Sequence, residues 1–162
     1  MKSVHIAAGL LLVLCLMVSG SSIAGMNSGA SVYFESVRSI NESVLEITVW
    51  ADNVRDLKGF NIEIITVDPR IVILDQVEES EFLKSQGGQT FFMPRALNGS
   101  RLWVANAVEG SDALYTPSGS GRLFTFRIRK LADQVSTIDV SKALSFVSVV
   151  LADSDLKKDK IR

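Results

Sequence analysis

Val44-Leu45-Glu46-Ile47-Thr48-Val49-Trp50-Ala51 decides the fold class. Leu45, Ile47, Val49 and Ala51 fall on one parity, and Glu46, Thr48 and Trp50 fall on the other. A period of two belongs to a pleated strand, whose successive side chains leave opposite faces. An apolar parity against a largely polar one describes a strand with a single buried side.

The pattern recurs on both sides of this stretch. Upstream, Ser31 to Val37 reads as a strand ended by Asn41-Glu42-Ser43. Downstream, Asp52 to Gly59 reads as a loop, and alternation resumes from Phe60 to Val67, with Phe60, Ile62 and Ile64 opposite Asn61, Glu63 and Ile65. Asp68-Pro69 stops that ladder, because proline has no N–H to give. Ile71 to Val77 is a further strand, Glu78 to Lys84 fits one helical turn, and Gly87-Gly88 leads into a strand over Gln89 to Ala96. Pro94 marks that strand as an edge or a bulge. Asn98-Gly99 is a hairpin signal. Beyond it, Arg101 to Ala107 sets Leu102 and Val104 against Arg101, Trp103 and Ala105. Glu109 to Gly121, rich in Ser, Gly and Pro, reads as a long surface loop. Leu123 to Lys130 points Phe124, Phe126 and Ile128 inward and Thr125, Arg127 and Arg129 outward. Val135 to Val140 and Ser145 to Leu151 close the set, and Asp153 to Arg162 reads as a solvated tail. The sum is an all-β domain of about nine strands packed as two sheets.

Composition narrows the chemistry. The 162 residues are 47% hydrophobic, and 17 Lys and Arg stand against 18 Asp and Glu, for a formal charge of −1. That balance gives no general attraction to phosphate and disfavours nucleic acid as a partner. The chain holds one cysteine and one histidine, Cys15 and His5, both near the start. Met1 to His5 carries Lys2, Ile6 to Val18 is an almost unbroken apolar run, and Ser22 and Ala24 supply the small residues of a leader-peptide cleavage site. The expectation is a signal peptide over residues 1–24, cut after Ala24, with Gly20 as the second choice. The apolar run is shorter than the roughly 20 residues that span a bilayer, so no membrane span remains after cleavage. Leu12-Val13-Leu14 ahead of Cys15 is a poor lipidation signal.

A chain cut there keeps neither histidine nor cysteine, which excludes Ser–His–Asp and Cys–His nucleophiles and zinc or copper sites built on imidazole or thiolate. About 138 residues is enough to be stable by packing alone. A glycosidase needs only two carboxylates across a cleft, for which Glu46 and Glu63 are the formal pair, but solvated strand faces explain both acids more simply. Asp153-Ser154-Asp155-Leu156-Lys157-Lys158-Asp159 resembles a calcium loop only until Lys157 and Lys158, which fall where an acceptor and a turn glycine belong. No catalytic residue, metal or cofactor is expected. Asn41 and Asn98 begin Asn-x-Ser triplets and are glycosylation acceptors in an exported eukaryotic-type setting. Of the large aromatics, Trp103 fits a surface platform and a core-edge cover equally, Trp50 fits the core better, and of Phe91 and Phe92 one must point inward.

The order of these features resembles a cohesin domain. The resemblance is carried by Leu45-Glu-Ile-Thr-Val-Trp-Ala51, then Asn53-Val54, then Leu57-Lys-Gly-Phe60 running to Val67-Asp68-Pro69, then Val77 with Phe82-Leu83, and by Gly119-Ser-Gly-Arg-Leu-Phe-Thr-Phe-Arg-Ile-Arg-Lys130. It covers most of Ser31 to Leu151. What it implies is a nine-stranded jelly roll, related in fold to cellulose-binding modules, that binds a dockerin-type module without catalysis and is secreted, cell-surface or periplasmic. The family's partner lies on the flat sheet of the third, fifth, sixth and eighth strands. Carried over by strand position, the implied partner-binding residues are Asn61, Glu63, Ile65, Phe92, Trp103, Ala105, Thr125 and Arg127. The alternatives are a module that contacts polysaccharide directly through aromatics, and a subunit of a surface assembly joined by strand addition.

Overall fold

Alternation along each strand gives every sheet one apolar face, and two such faces closed on each other make the core. The computed structural model describes residues 27–110, 115–131, 138–155 and 158–161. Among them are nine strands: β1 (Ser31–Ser39), β2 (Val44–Val54), β3 (Leu57–Thr66), β4 (Ile71–Glu79), β5 (Thr90–Leu97), β6 (Arg101–Val108), β7 (Gly119–Lys130), β8 (Leu144–Asp153) and β9 (Lys158–Ile161), with one helical turn, α1 (Val140–Ala143), before β8. They form a four-stranded sheet ordered β1-β2-β7-β4 and a five-stranded sheet ordered β5-β6-β3-β8-β9. Neighbours in both are antiparallel. The signal-peptide reading, with Cys15 and His5, lies outside the described residues.

The inward parity read from the sequence is the parity buried. Ile47, Val49 and Ala51 of β2 and Phe124, Phe126 and Ile128 of β7 face Phe60, Ile62 and Ile64 of β3 and Leu102 and Val104 of β6. Aromatic contacts bridge the layers: Phe34 stacks on Phe146 with ring centroids 4.3 Å apart, and Phe60 lies 5.9 Å from Phe124. Pro94 sits on β5, which is an edge strand, so its missing N–H costs no ladder bond. The β5–β6 hairpin turns through Asn98 to Ser100, with Asn98 (φ 52°) and Gly99 (φ 67°) both in the left-handed region that Asn and Gly adopt most readily. At the β1–β2 turn, Asn41 Oδ1 accepts hydrogen bonds from the Ser43 and Val44 amides.

Five local expectations change. The loop read over Asp52 to Gly59 is only Arg55 and Asp56, because β2 runs to Val54 and β3 starts at Leu57. Residues 135–137 lie outside the described set, and Val140, read as the end of a strand, opens the helical turn Val140–Ala143 because Asp139 caps it by accepting the Ser141 N–H. The supposed solvated tail contains β9, whose Lys158–Ile161 pairs with Val149–Ala152 of β8. Ile161 packs on the core, and Asp159 turns inward to accept the Asn27 amide at 2.8 Å. The loop before β7 is shorter than read: β7 begins at Gly119, Thr116 and Pro117 are buried, and the Pro117 carbonyl accepts the Leu57 amide. The helical turn placed at Glu78 starts later, since β4 runs through Glu79 and the turn is closed by Lys84 N–H to Glu81 O.

One end of the sandwich is closed by that turn. Phe82 lies over Gly121, where an added Cβ would stand 2.2 Å from the ring, and Leu83 is fully buried. Beside it, Glu79 accepts hydrogen bonds from Thr90 (2.6 Å) and Asn106 Nδ2 (2.7 Å) and pairs with Lys84 at 3.0 Å. Burial alone would raise the Glu79 pKa, but these donors outweigh it and hold the carboxyl below the usual range.

Candidate functional site

Register fixes which side chains share the outer face of the five-stranded sheet. Ala107, Ala105, Trp103 and Arg101 of β6 lie opposite Gly59, Asn61, Glu63 and Ile65 of β3. On β5 the partners of those β6 residues are Phe91, Met93, Arg95 and Leu97. On the other flank, Ala152, Val150 and Ser148 of β8 lie opposite Gly59, Asn61 and Glu63, and Lys158 and Lys160 of β9 extend the first two rows. The face is a grid of small and apolar groups with cations near both edges.

The sequence-derived set divides on this grid. Asn61, Glu63, Ile65, Trp103 and Ala105 share the outer face. Phe92 does not: it pairs with inward Asn106 and packs against the core, while Phe91 takes the outer position and is 60% exposed. The exchange follows from the period of two, in which a shift of one residue moves a side chain through the sheet. Thr125 and Arg127 are outward as read, but on β7 of the opposite sheet. Leu123 to Lys130 lies in the seventh strand, and the family's face takes the eighth. The eighth strand is Leu144–Asp153, and its outward residues are Ser148, Val150 and Ala152. The sequence signal for Phe91 is Arg95, a charged residue on the same parity of β5. Lys158 and Lys160 had only the weak alternation of Lys158-Asp159-Lys160-Ile161 to show for themselves.

Within the grid lies a shallow trough of about 360 Å³, floored by Gly59, Ala105, Ala107 and Ala152 and bounded by Phe91 and Lys158. Gly59 lets β3 approach β6 this closely, since a Cβ there would meet the Asn106 carbonyl oxygen at 2.6 Å and the Ala107 Cα at 3.1 Å. Further along, half-buried Trp103 stands between Glu63 and Arg95 in the cross-strand register, and Glu63 is bound by Arg101 at 3.1 Å. Glu63 is the one carboxylate among these paired face residues, so they do not supply the carboxylate pair used in glycoside hydrolysis.

The outer face of the four-stranded sheet is chemically different. Glu46 is held between Arg38 (2.6 Å) and Arg127 (3.2 Å). Burial would raise its pKa, but the two guanidinium groups prevail and lower it. Trp50 lies in a depression of about 650 Å³ with Glu46, Glu78, Glu81 and Arg122. Glu46 and Glu63, the formal glycosidase pair, therefore occupy opposite outer faces and share no cleft. Among the described residues no three His, Cys, Asp or Glu side chains form a metal-ligand group, and no helix is long and apolar enough to cross a membrane. Asn41 and Asn98 both lie in exposed hairpin turns.

No protein-family profile matches the sequence, and no curated protein matches it. Solved structures do match the fold. A chain of a type I cohesin–dockerin complex from Clostridium thermocellum superposes with a TM-score of 0.60 at 16% identity, covering 80% of this chain and 85% of that one. The second type II cohesin module of the ScaA scaffoldin of Acetivibrio cellulolyticus gives 0.60 at 12% identity, over 82% and 88%. A non-cellulosomal cohesin from the archaeon Archaeoglobus fulgidus gives 0.53 at 16%, over 82% and 83%. Two antiparallel sheets in this strand order, matched over four-fifths of the chain to cohesins of type I, type II and archaeal origin, give this protein the fold of a cohesin module.

Proposed function

We propose that this protein is an exported, non-catalytic binding module that holds a dockerin-type protein on the outer face of its β5-β6-β3-β8-β9 sheet. The observation that carries the reading is the flat face itself: small side chains at its centre, exposed Phe91 at one edge and half-buried Trp103 beside them. Large aromatics set among small residues are where interfaces concentrate their binding energy. Several structures of matching fold are cohesin–dockerin complexes, which supports the class of partner. Asn61, Glu63, Ile65, Trp103 and Ala105 stay in the proposed site, with Phe91 in place of Phe92. Thr125 and Arg127, on the far sheet, fall outside it.

Calorimetric titration of the purified protein with a panel of type I and type II dockerins tests the reading. Binding to at least one is expected, and Trp103→Ala should weaken it by about 2 kcal/mol or more. Absence of binding across the panel would remove this class of partner.

One observation favours a second reading. Trp50 in its depression among Glu46, Glu78 and Arg122 offers a ring face beside hydrogen-bonding groups, which suits a polysaccharide. Depletion of the protein from solution by insoluble polysaccharide, abolished by Trp50→Ala, would establish it.

A further inference from the structure

We propose that the surface bound by the five-stranded face is acidic, with a short apolar ridge set between its carboxylates. This inference rests on reading that face as the docking surface. The whole chain carries a formal charge of −1, yet the outer face concentrates cations. Within its strands Arg95, Arg101, Lys158 and Lys160 stand with a single carboxylate, Glu63, and one further acid, the exposed Glu109, follows the end of β6. Glu63 is taken up by Arg101. Among the described residues Arg95, Lys158 and Lys160 enter no ion pair, so three positive charges are left for a partner.

Their placement sets the shape of that partner. Arg95 lies on β5 at one edge of the sheet and the two lysines on β9 at the other, four inter-strand spacings or roughly 19 Å apart. That separation exceeds the screening length of about 8 Å at physiological salt, so each edge acts on its own carboxylate. Between the edges lies the trough floored by Gly59, Ala105, Ala107 and Ala152. Its depth is limited by methyl groups and one glycine, which suits a ridge of small or unbranched aliphatic side chains. A helix about 10 Å across, laid over the trough, would reach both cationic edges with acidic residues on its flanks. Three free charges around an apolar floor are a poor match to a nucleic-acid backbone, where affinity grows with the number of phosphates neutralised.

Two helical peptides with one shared apolar ridge, flanked by Glu in one and by Lys in the other, provide the test against the isotope-labelled protein. The Glu peptide is expected to shift the amide signals of Phe91, Ala105, Ala107 and Ala152. Its dissociation constant should rise at least about five-fold between roughly 50 and 500 mM NaCl. The triple variant Arg95→Glu/Lys158→Glu/Lys160→Glu, all surface changes, should reverse the preference between peptides. Equal or tighter binding of the Lys peptide, salt-insensitive binding, shifts on β1-β2-β7-β4, or no binding of either peptide would overturn the inference. The two readings fail separately. A dockerin held on this face with salt-independent affinity overturns the acidic surface alone. A Glu peptide held there while every dockerin fails overturns the dockerin alone.

Discussion

Phe91 and Phe92 are neighbours of identical chemistry on opposite sides of one strand, and alanine at each should give very different results. Phe92 packs against the core and pairs with inward Asn106, whereas Phe91 is 60% exposed over the trough. A fully buried phenylalanine truncated to alanine costs about 3–5 kcal/mol through lost transfer energy and the cavity left behind. Phe92 retains some exposure at the edge strand, so about 3 kcal/mol is expected. For Phe91, roughly two-fifths of a side-chain surface near 200 Å² is covered. At about 25 cal/mol per Å² this bounds the loss near 2 kcal/mol, and the methyl group that remains and a compact unfolded state bring it to about 1 kcal/mol. Urea unfolding with a common slope should separate the variants by about 2 kcal/mol, and melting by several degrees, with Phe92→Ala the weaker. Partner binding should move the other way, falling for Phe91→Ala and holding for Phe92→Ala. Equal stabilities, or a larger loss at Phe91, would mean that β5 is out of register by one residue and that the outer face is wrongly composed.

Other perturbations probe separate parts of the fold. Gly59→Ala forces a Cβ against the Asn106 carbonyl and the Ala107 Cα, and should destabilise by about 2 kcal/mol in urea unfolding; an unchanged midpoint would show that β3 and β6 can part freely. Glu79→Ala strips the acceptor from Thr90, Asn106 and Lys84 and should cost about 2–3 kcal/mol. Because the folded Glu79 pKa is lowered, its contribution is complete above the ordinary carboxylate pKa and disappears as pH falls through the lowered value, so wild type and Glu79→Ala should converge in stability on acidification. Asp68 is held at about 2 by hydrogen bonds from the Arg70 side chain and amide. Carboxyl NMR titration of Arg70→Ala should move that midpoint up towards 3.8; a midpoint that stays near 2 would assign the shift to another group.

The sandwich was legible because its signal is local and repeated. Val44 to Ala51, Phe60 to Val67 and Leu123 to Lys130 each carry their inward parity in their own residues, and that parity is the one buried. Pro94, read as an edge or a bulge, stands on an edge strand. What escaped depended on contacts between distant segments. β9 is four residues of alternating charge whose only apolar member is Ile161, and it is a strand because β8 offers a free edge and Asp159 finds the Asn27 amide 132 positions away. Val140 looked like strand because its β-branched neighbours do, while the Asp139 cap decides for a helical turn. Which strands share the outer face depends on such contacts too. Residues were read outward correctly on β7, but which sheet β7 joins is a matter of pairing, and Thr125 and Arg127 went with it to β1-β2-β7-β4.

The most direct test of a protein-binding face is cross-saturation NMR on the complex with whichever dockerin binds in the calorimetric panel. Saturation transfer is expected at Asn61, Phe91, Trp103, Ala105 and Val150, all on the outer side of β5-β6-β3-β8. Transfer confined to Trp50, Thr125 and Arg127 on the opposite sheet, or a panel in which no dockerin binds, would contradict it.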